Sequence, residues 1–301
     1  MNDYDKAGRY LVKREPAGFF RWLLANPGVS FEAWIDARRV ALPDQNDLTN
    51  DLVAVLRSGD ALEGICLELE AKARADVLTR LLEYLVRLWI EPGSRGSLRV
   101  SCVSGAVLDL TKRSPSHELS LRSVIAPGSR LEIAVLRRHL VDEKAAKLVA
   151  DVAAGITSPW LLPWVPLMRG GDKSAIIVNW SREARRMSDD RDRADLGSLA
   201  QLFAALAGCR PVWDHGLRGW NMKTSPFLDE IRAEGRAEGR AEGQVEGIRK
   251  LVHRQGRQKF GKAPTRKQQK ALEAITDLAG LETLAEQLLN AGSWAELLGD
   301  G

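Results

Sequence analysis

The sequence predicts a mixed α/β fold, a sheet flanked by helices, followed by a helical second half. Two observations carry this. Stretches of strand length with alternating or continuous apolar residues fall in the first 140 residues, in the order helix, strand, strand, strand, helix, strand. After residue 144 the pattern turns mostly helical, and it ends in a four-residue repeat and a leucine-rich tail.

Taken in order, "EPAGFFRWLLAN" reads as a short helix, with Phe19, Phe20, Leu23 and Leu24 on one side and Pro27-Gly28 as its stop. "ARRVALP" and "DLVAVLRS" read as strands, and Gly59-Asp60 punctuates before a third, "LEGICLELEAK". In "ADVLTRLLEYLVRLWI", Val77, Leu78, Leu81, Leu82, Leu85, Leu88 and Trp89 share a helical face, and Pro92-Gly93 stops the helix. "SLRVSCVSG" and "RLEIAVLRRH" read as further strands, and "DRADLGSLAQLFAALAG" as a helix ending at Gly208.

The uncharged run "VAAGITSPWLLPWVPLM" invites a membrane reading. Pro159, Pro163 and Pro166 break any helix through it, so a membrane span is rejected. The N-terminus lacks the basic start and apolar run of a signal peptide. Three scattered cysteines, Cys66, Cys102 and Cys209, form neither a disulfide framework nor a CxxC site, and a reducing cytoplasm is expected. The four histidines show no metal-ligand spacing, and no phosphate-loop, dinucleotide or nucleophile-elbow motif occurs. Trp22, Trp89, Trp160 and Trp164 sit in apolar contexts and read as core rather than as base-stacking platforms.

"EIRAEGRAEGRAEGQVEGIRK" places Gly235, Gly239, Gly243 and Gly247 in one helical column, Glu234, Glu238, Glu242 and Glu246 in a second, and Arg232, Arg236 and Arg240 in a third. Each helical glycine costs about 1 kcal/mol relative to Ala. A second helix packed on the Gly column would offset that, most simply in a homodimer through residues 231–250; the alternative is a flexible solvated linker. The tail reads as three short helices with Thr265, Asp277 and Ser293 as N-caps.

The formal charge of +4 is locally concentrated. Between Gly247 and Leu272 there are nine Lys or Arg and no acid; outside that block 35 basic residues face 40 acidic ones, a balance of −5. Arg249, Lys250, Arg254, Arg257, Lys259 and Lys262 suit a polyanion such as DNA, with Phe260 available for contact; the alternative is a solvated charged face.

The chemistry lies in "GICLELEAKARAD". Ile65, Leu67 and Leu69 alternate with Cys66, Glu68 and Glu70, and Lys72 continues the second series. If the preceding strand pairs with this one, Asp51 near its start, with Asp47 before it, approaches Glu68 or Glu70. Converging carboxylates need a cation or raised pKa values to coexist, and Mg²⁺ suits such oxygen donors. A bound divalent ion of this kind can support phosphodiester hydrolysis, with a lysine nearby to stabilise charge. The alternative is the wet face of an antiparallel strand. Arg80 and Tyr84, four apart on the next helix, share a face at the border of its apolar stripe.

"DLVAVLRSGDALEGICLELEAKARADVLTRLLEYLVRLW" resembles the core of the recombination-promoting nuclease and putative transposase family, part of the PD-(D/E)xK nuclease superfamily. Asp51, Glu68, Arg80 and Tyr84 match, in order, that family's Asp-Leu strand, Glu-x-Gln strand and helix with Arg and Tyr four apart. "LLPWVPLMRGG", "WNMKTSPFLDEIRAEGRAEGRAEG" and the closing helices are similar to its later parts. The resemblance implies a mixed-sheet PD-(D/E)xK restriction-endonuclease-like core over residues 1–226, a repeat helix or linker over 227–255, and a small all-α module over 256–301. It implies a Mg²⁺-dependent DNA endonuclease, with Mn²⁺ as a substitute, linked to recombination or mobile elements. Two registers are open, because Glu70 stands where the family has Gln. Either Asp51 and Glu68 hold the metal with Glu70 at the third position, or Asp51 and Glu70 hold it with Lys72 as the superfamily lysine. Arg80 suits a phosphate contact; the alternative is a solvated arginine or a partner for Glu83 or Asp76. The alternative function is a catalytically silent DNA- or protein-binding module that assembles through its repeat.

Overall fold

The computed structural model describes residues 3–35, 52–72, 76–90, 100, 102–111, 118–122 and 130–298. The chain divides into two compact units, Met1–Leu228 and Asp229–Gly301.

The first unit opens with α1 (Asp3–Arg14) and α2 (Pro16–Leu23). Pro16 at the first helical position and the Glu15 carboxylate, which accepts from Gly18 N–H at 2.9 Å, start α2. Strand β1 (Val29–Ile35) follows, although its sequence gives no clean alternation; it carries a bulge between Phe31 and Ala33. Aromatic packing fixes it instead, with Trp34 against Phe20 and Phe31. The strand expected at "ARRVALP" lies outside the described residues.

Strands β2 (Leu52–Ser58) and β3 (Ala61–Glu70) form an antiparallel hairpin from Ser58↔Ala61 to Leu52↔Leu67. Gly59 turns the chain at φ +58°, a left-handed conformation that glycine adopts without strain. Helix α3 (Val77–Ile90) then carries the chain back to β4 (Cys102–Asp109), which runs parallel to β3. The single strand expected over "RLEIAVLRRH" is two. Arg130–Ala134 (β6) pairs with β5 (Glu118–Arg122) as a separate ribbon, and after Val135 the chain enters β7 (Leu136–His139), parallel to β4. The main sheet therefore has the order β1-β2-β3-β4-β7, and it is mixed, as expected.

Both faces of the central strands are covered. On one, α3 packs Val77, Leu78, Leu81, Tyr84 and Leu88 against Val53, Cys66 and Val107. Gly64 and Gly105 let it settle: a Cβ at Gly64 would lie 2.7 Å from Leu88, and one at Gly105 3.0 Å from Val135. On the other, α1 crosses β3 closely enough that a Cβ at Gly8 would meet Leu69 at 2.7 Å.

The helical half of this unit comprises α4 (Ala145–Ala153), α5 (Ser174–Ala184), α6 (Asp190–Leu206) and α7 (Arg210–Gly216). The proline-rich run is a 3-10 helix, Pro159–Leu167, buried from Trp160 onward. Trp164 is core, as expected, and stacks on Phe203. Trp22 lies under the Arg138 guanidinium at 4.0 Å. No helix among the described residues is long and apolar enough to cross a membrane.

Helix α8 (Pro226–Phe260) contains the whole repeat, so the repeat is helix rather than loose linker, and the expected division at 255/256 falls inside it. Its start is fixed by buried Asp195, which accepts from Ser225 Oγ at 2.5 Å and Phe227 N–H at 3.0 Å and is also bonded by the Tyr10 hydroxyl. In the second unit α9 (Arg266–Ala274), α10 (Leu278–Asn290) and α11 (Trp294–Leu298) close over Val252 of α8. The three expected caps are present: Thr265 in a capping box, Asp277 on Gly280 N–H, and Ser293 on Glu296 N–H.

Candidate active site

Strand alternation puts Gly64, Cys66, Glu68 and Glu70 on the face of β3 that α3 covers. The first two meet the apolar stripe of α3. The last two meet its first turn, where Arg80 follows Asp76. This face is therefore not a wet one: Glu68 is 5% exposed and Glu70 4%. Arg80 Nη2 lies 3.3 Å from Glu68 Oε1 and 3.2 Å from Glu70 Oε1, while its Nε is 3.7 Å from Asp76 Oδ2. One guanidinium nitrogen thus marks a position that both carboxylates face, in a dry environment where charge interactions are strong. The partial positive charge at the N-terminus of α3 has the same sign.

Of the residues expected in the site, Glu68, Glu70 and Arg80 come together. Tyr84 is buried in the apolar cluster rather than at its border. Lys72 follows the end of β3 and is exposed. Asp51 and Asp47 lie outside the described residues; β2 begins at Leu52, the next residue after Asp51, and Leu52 pairs with Leu67. Among the described residues no group of three or more His, Cys, Asp or Glu is arranged to hold a metal. Glu68 and Glu70 supply hard oxygen donors around one cation position, so these two fit a divalent ion that completes its shell with water and phosphate.

The pairing register brings in residues that the sequence reading missed. Glu70 pairs with Asp109, and Asp109 with His139, so the three form one row across β3, β4 and β7. Asp109 receives Arg137 through both oxygens, at 2.6 and 2.8 Å, and His139 Nδ1 lies 2.8 Å from its Oδ2. The available signal was one ionisable residue at the carboxyl end of each strand, the side of an open α/β sheet where ligands bind.

The basic block is partly committed inside the second unit. Arg249 donates to Ile275 O at 2.8 Å, Lys259 donates to Leu288 O and Leu289 O, and Lys250 pairs with Glu246 at 2.6 Å. Arg254, Arg257 and Lys262 are exposed. A cavity of about 500 Å³ opens beside Leu110, Thr111, Arg169 and Cys209, and none of its lining residues belongs to the carboxylate face.

No family model, no curated protein and no solved structure matches the chain.

Proposed function

We propose that the first unit is a metal-dependent DNA endonuclease of the PD-(D/E)xK type. The observation that carries this reading is the convergence of Glu68 and Glu70 on one cation position, at the carboxyl end of β3 and beside the β2–β3 hairpin. Glu68 and Glu70 would hold Mg²⁺ or Mn²⁺, with Asp51 as a further ligand candidate from the chain entering β2. The ion would supply an activated water and charge stabilisation at phosphorus. Arg80, once the carboxylates face the ion, has a guanidinium ready for a phosphate oxygen. Exposed Arg254, Arg257 and Lys262 would hold the DNA backbone. A homodimer through the Gly column of α8 would place two such sites on one assembly.

A specific observation favours the second reading, a silent nuclease-like module. Arg80 already stands within ion-pair distance of both carboxylates, so a cationic partner is present without metal. Incubation of the purified chain with supercoiled and linear DNA, with and without Mg²⁺ or Mn²⁺, decides between them. Cleavage that needs the ion and is lost in Glu68→Gln supports the nuclease. No cleavage under any of these conditions supports the silent module, and cleavage that does not need the ion overturns the metal assignment.

A further inference from the structure

The cavity of about 500 Å³ lies at the carboxyl end of two parallel strands. Leu110 and Thr111 follow β4 directly, and Val141 belongs to the 3-10 turn that follows β7. Glu70 closes β3 at the same end of the sheet, the end where open α/β sheets take ligands. Its size is that of a small-molecule site. The lining is apolar in depth, with Leu110, Leu167 and Met168 buried, and charged where it meets solvent, with Arg169 and Asp172 exposed. The Arg169 guanidinium makes no ion pair among the described residues. Thr111 donates its hydroxyl proton to Ala71 O at 2.8 Å and keeps lone pairs to accept with. Burial pushes the Cys209 thiol up and the charge of Asp172 adds to the shift, so carboxylate and sulfur act on the same space.

An apolar interior, a cation with no partner and a carboxylate acceptor suit a ligand with an anionic group, an apolar body and N–H donors. A nucleotide has all three: phosphate for a guanidinium, a base for the apolar lining, and base N–H groups for a carboxylate. We propose that this cavity binds a nucleotide by its terminal phosphate and its base, free or at the end of a strand; the choice of a nucleotide over other anions rests on the nuclease reading above. Arg169 takes the phosphate, Asp172 accepts from the base, and Leu110, Leu167 and Met168 lie against the base.

In the full chain carrying Cys102→Ser, Cys209 is the reactive thiol of the folded state, and its rate with an aromatic disulfide reagent reports on the cavity. At least one deoxynucleoside monophosphate should slow that rate, and the matching nucleoside and sugar phosphate should each bind at least about tenfold more weakly. Arg169→Gln should bind nucleotide and nucleoside alike. Asp172→Asn should change which base is preferred, read by equilibrium dialysis because this variant also alters the thiol. Protection by a phosphate-ended oligonucleotide assigns the cavity to a strand end, and protection by mononucleotides alone assigns it to free nucleotide. No protection by any nucleotide, equal protection by octanoate, or an Arg169→Gln chain that still prefers nucleotide to nucleoside overturns the inference. Mg²⁺-dependent DNA cleavage beside that result leaves the nuclease reading standing, whereas nucleotide protection in a chain that cuts no DNA removes the nuclease reading and keeps the pocket.

Discussion

Arg80 Nη2 lies 3.2 Å from Glu70 Oε1, and the same nitrogen lies 3.3 Å from Glu68. One cation therefore serves two buried anions. Arg80→Met would remove that cation from both, which should cost about 3–5 kcal/mol in denaturant unfolding. Adding Glu68→Gln and Glu70→Gln to that variant should recover most of the loss. Mn²⁺ should raise the melting temperature of Arg80→Met more than that of the wild type, because the ion no longer competes with the guanidinium. Equal shifts would separate Arg80 from the cation position.

The two possible registers make opposite demands on Glu70 and Lys72. Lys72 lies beyond β3 and is exposed, so the register through Glu68 is expected. Glu68→Gln should lower cleavage by at least about 100-fold. Glu70→Gln should keep or raise it, and Lys72→Ala should change little. A Lys72→Ala variant as slow as Glu68→Gln would establish the other register.

Two kinds of glycine in α8 should respond in opposite directions. A Cβ at Gly235, Gly239, Gly243 or Gly247 meets nothing within 4 Å, whereas one at Gly256 would lie 2.3 Å from the Trp294 ring. In a monomer each Gly→Ala change in the column should stabilise the helix by about 1 kcal/mol. Gly256→Ala should destabilise the second unit and alter Trp294 fluorescence. If the column packs a second copy, the same alanines should instead weaken dimers, read by light scattering at micromolar concentration.

The basic block should divide into phosphate contacts and structural ties. Neutralising Arg254, Arg257 and Lys262 should flatten the salt dependence of DNA binding, by up to about 0.9 in log–log slope per lost phosphate contact. Arg249→Gln and Lys259→Gln should act mainly on thermal stability, since both side chains hold backbone carbonyls. An unchanged slope in the triple variant would make the block a solvated face.

Three thiols should react in a fixed order with an aromatic disulfide reagent. Cys102 is exposed and should react first. Burial pushes the Cys209 thiol up, and the charge of Asp172 adds to the shift, so it should lag at pH 8 and gain on Cys102 as pH rises. Cys66 is fully buried under α3 and should react only on unfolding.

Periodicity made the hairpin, α3, β4 and the caps of the last three helices legible, because each depends on neighbours in sequence. It did not reveal β1, whose aromatics are set by Phe20 of α2, nor the break at Val135, where the chain leaves the β5–β6 ribbon for the main sheet. Within the candidate site, alternation put Glu68 and Glu70 on one face, and helical spacing offered Asp76 as a partner for Arg80, but the pairs of Arg80 with the two glutamates depend on how α3 lies on β3. Asp109 and His139 were hidden, because only the parallel register of β3, β4 and β7 makes a row of residues far apart in the chain. The charged face of β3 looked wet because charge ordinarily marks solvent, and only the packing of α3 made it buried.

The pairing of Arg80 with Glu68 and Glu70 also bears on how such a protein changes over generations. The dependence runs from the acids to the arginine, since two buried carboxylates share its one positive charge. A lineage that kept both glutamates would be under selection to keep Arg80, whatever else the three residues do. In proteins built this way, an intact cluster of one arginine and two acids is a record of a foldable core, and its persistence says nothing by itself about activity.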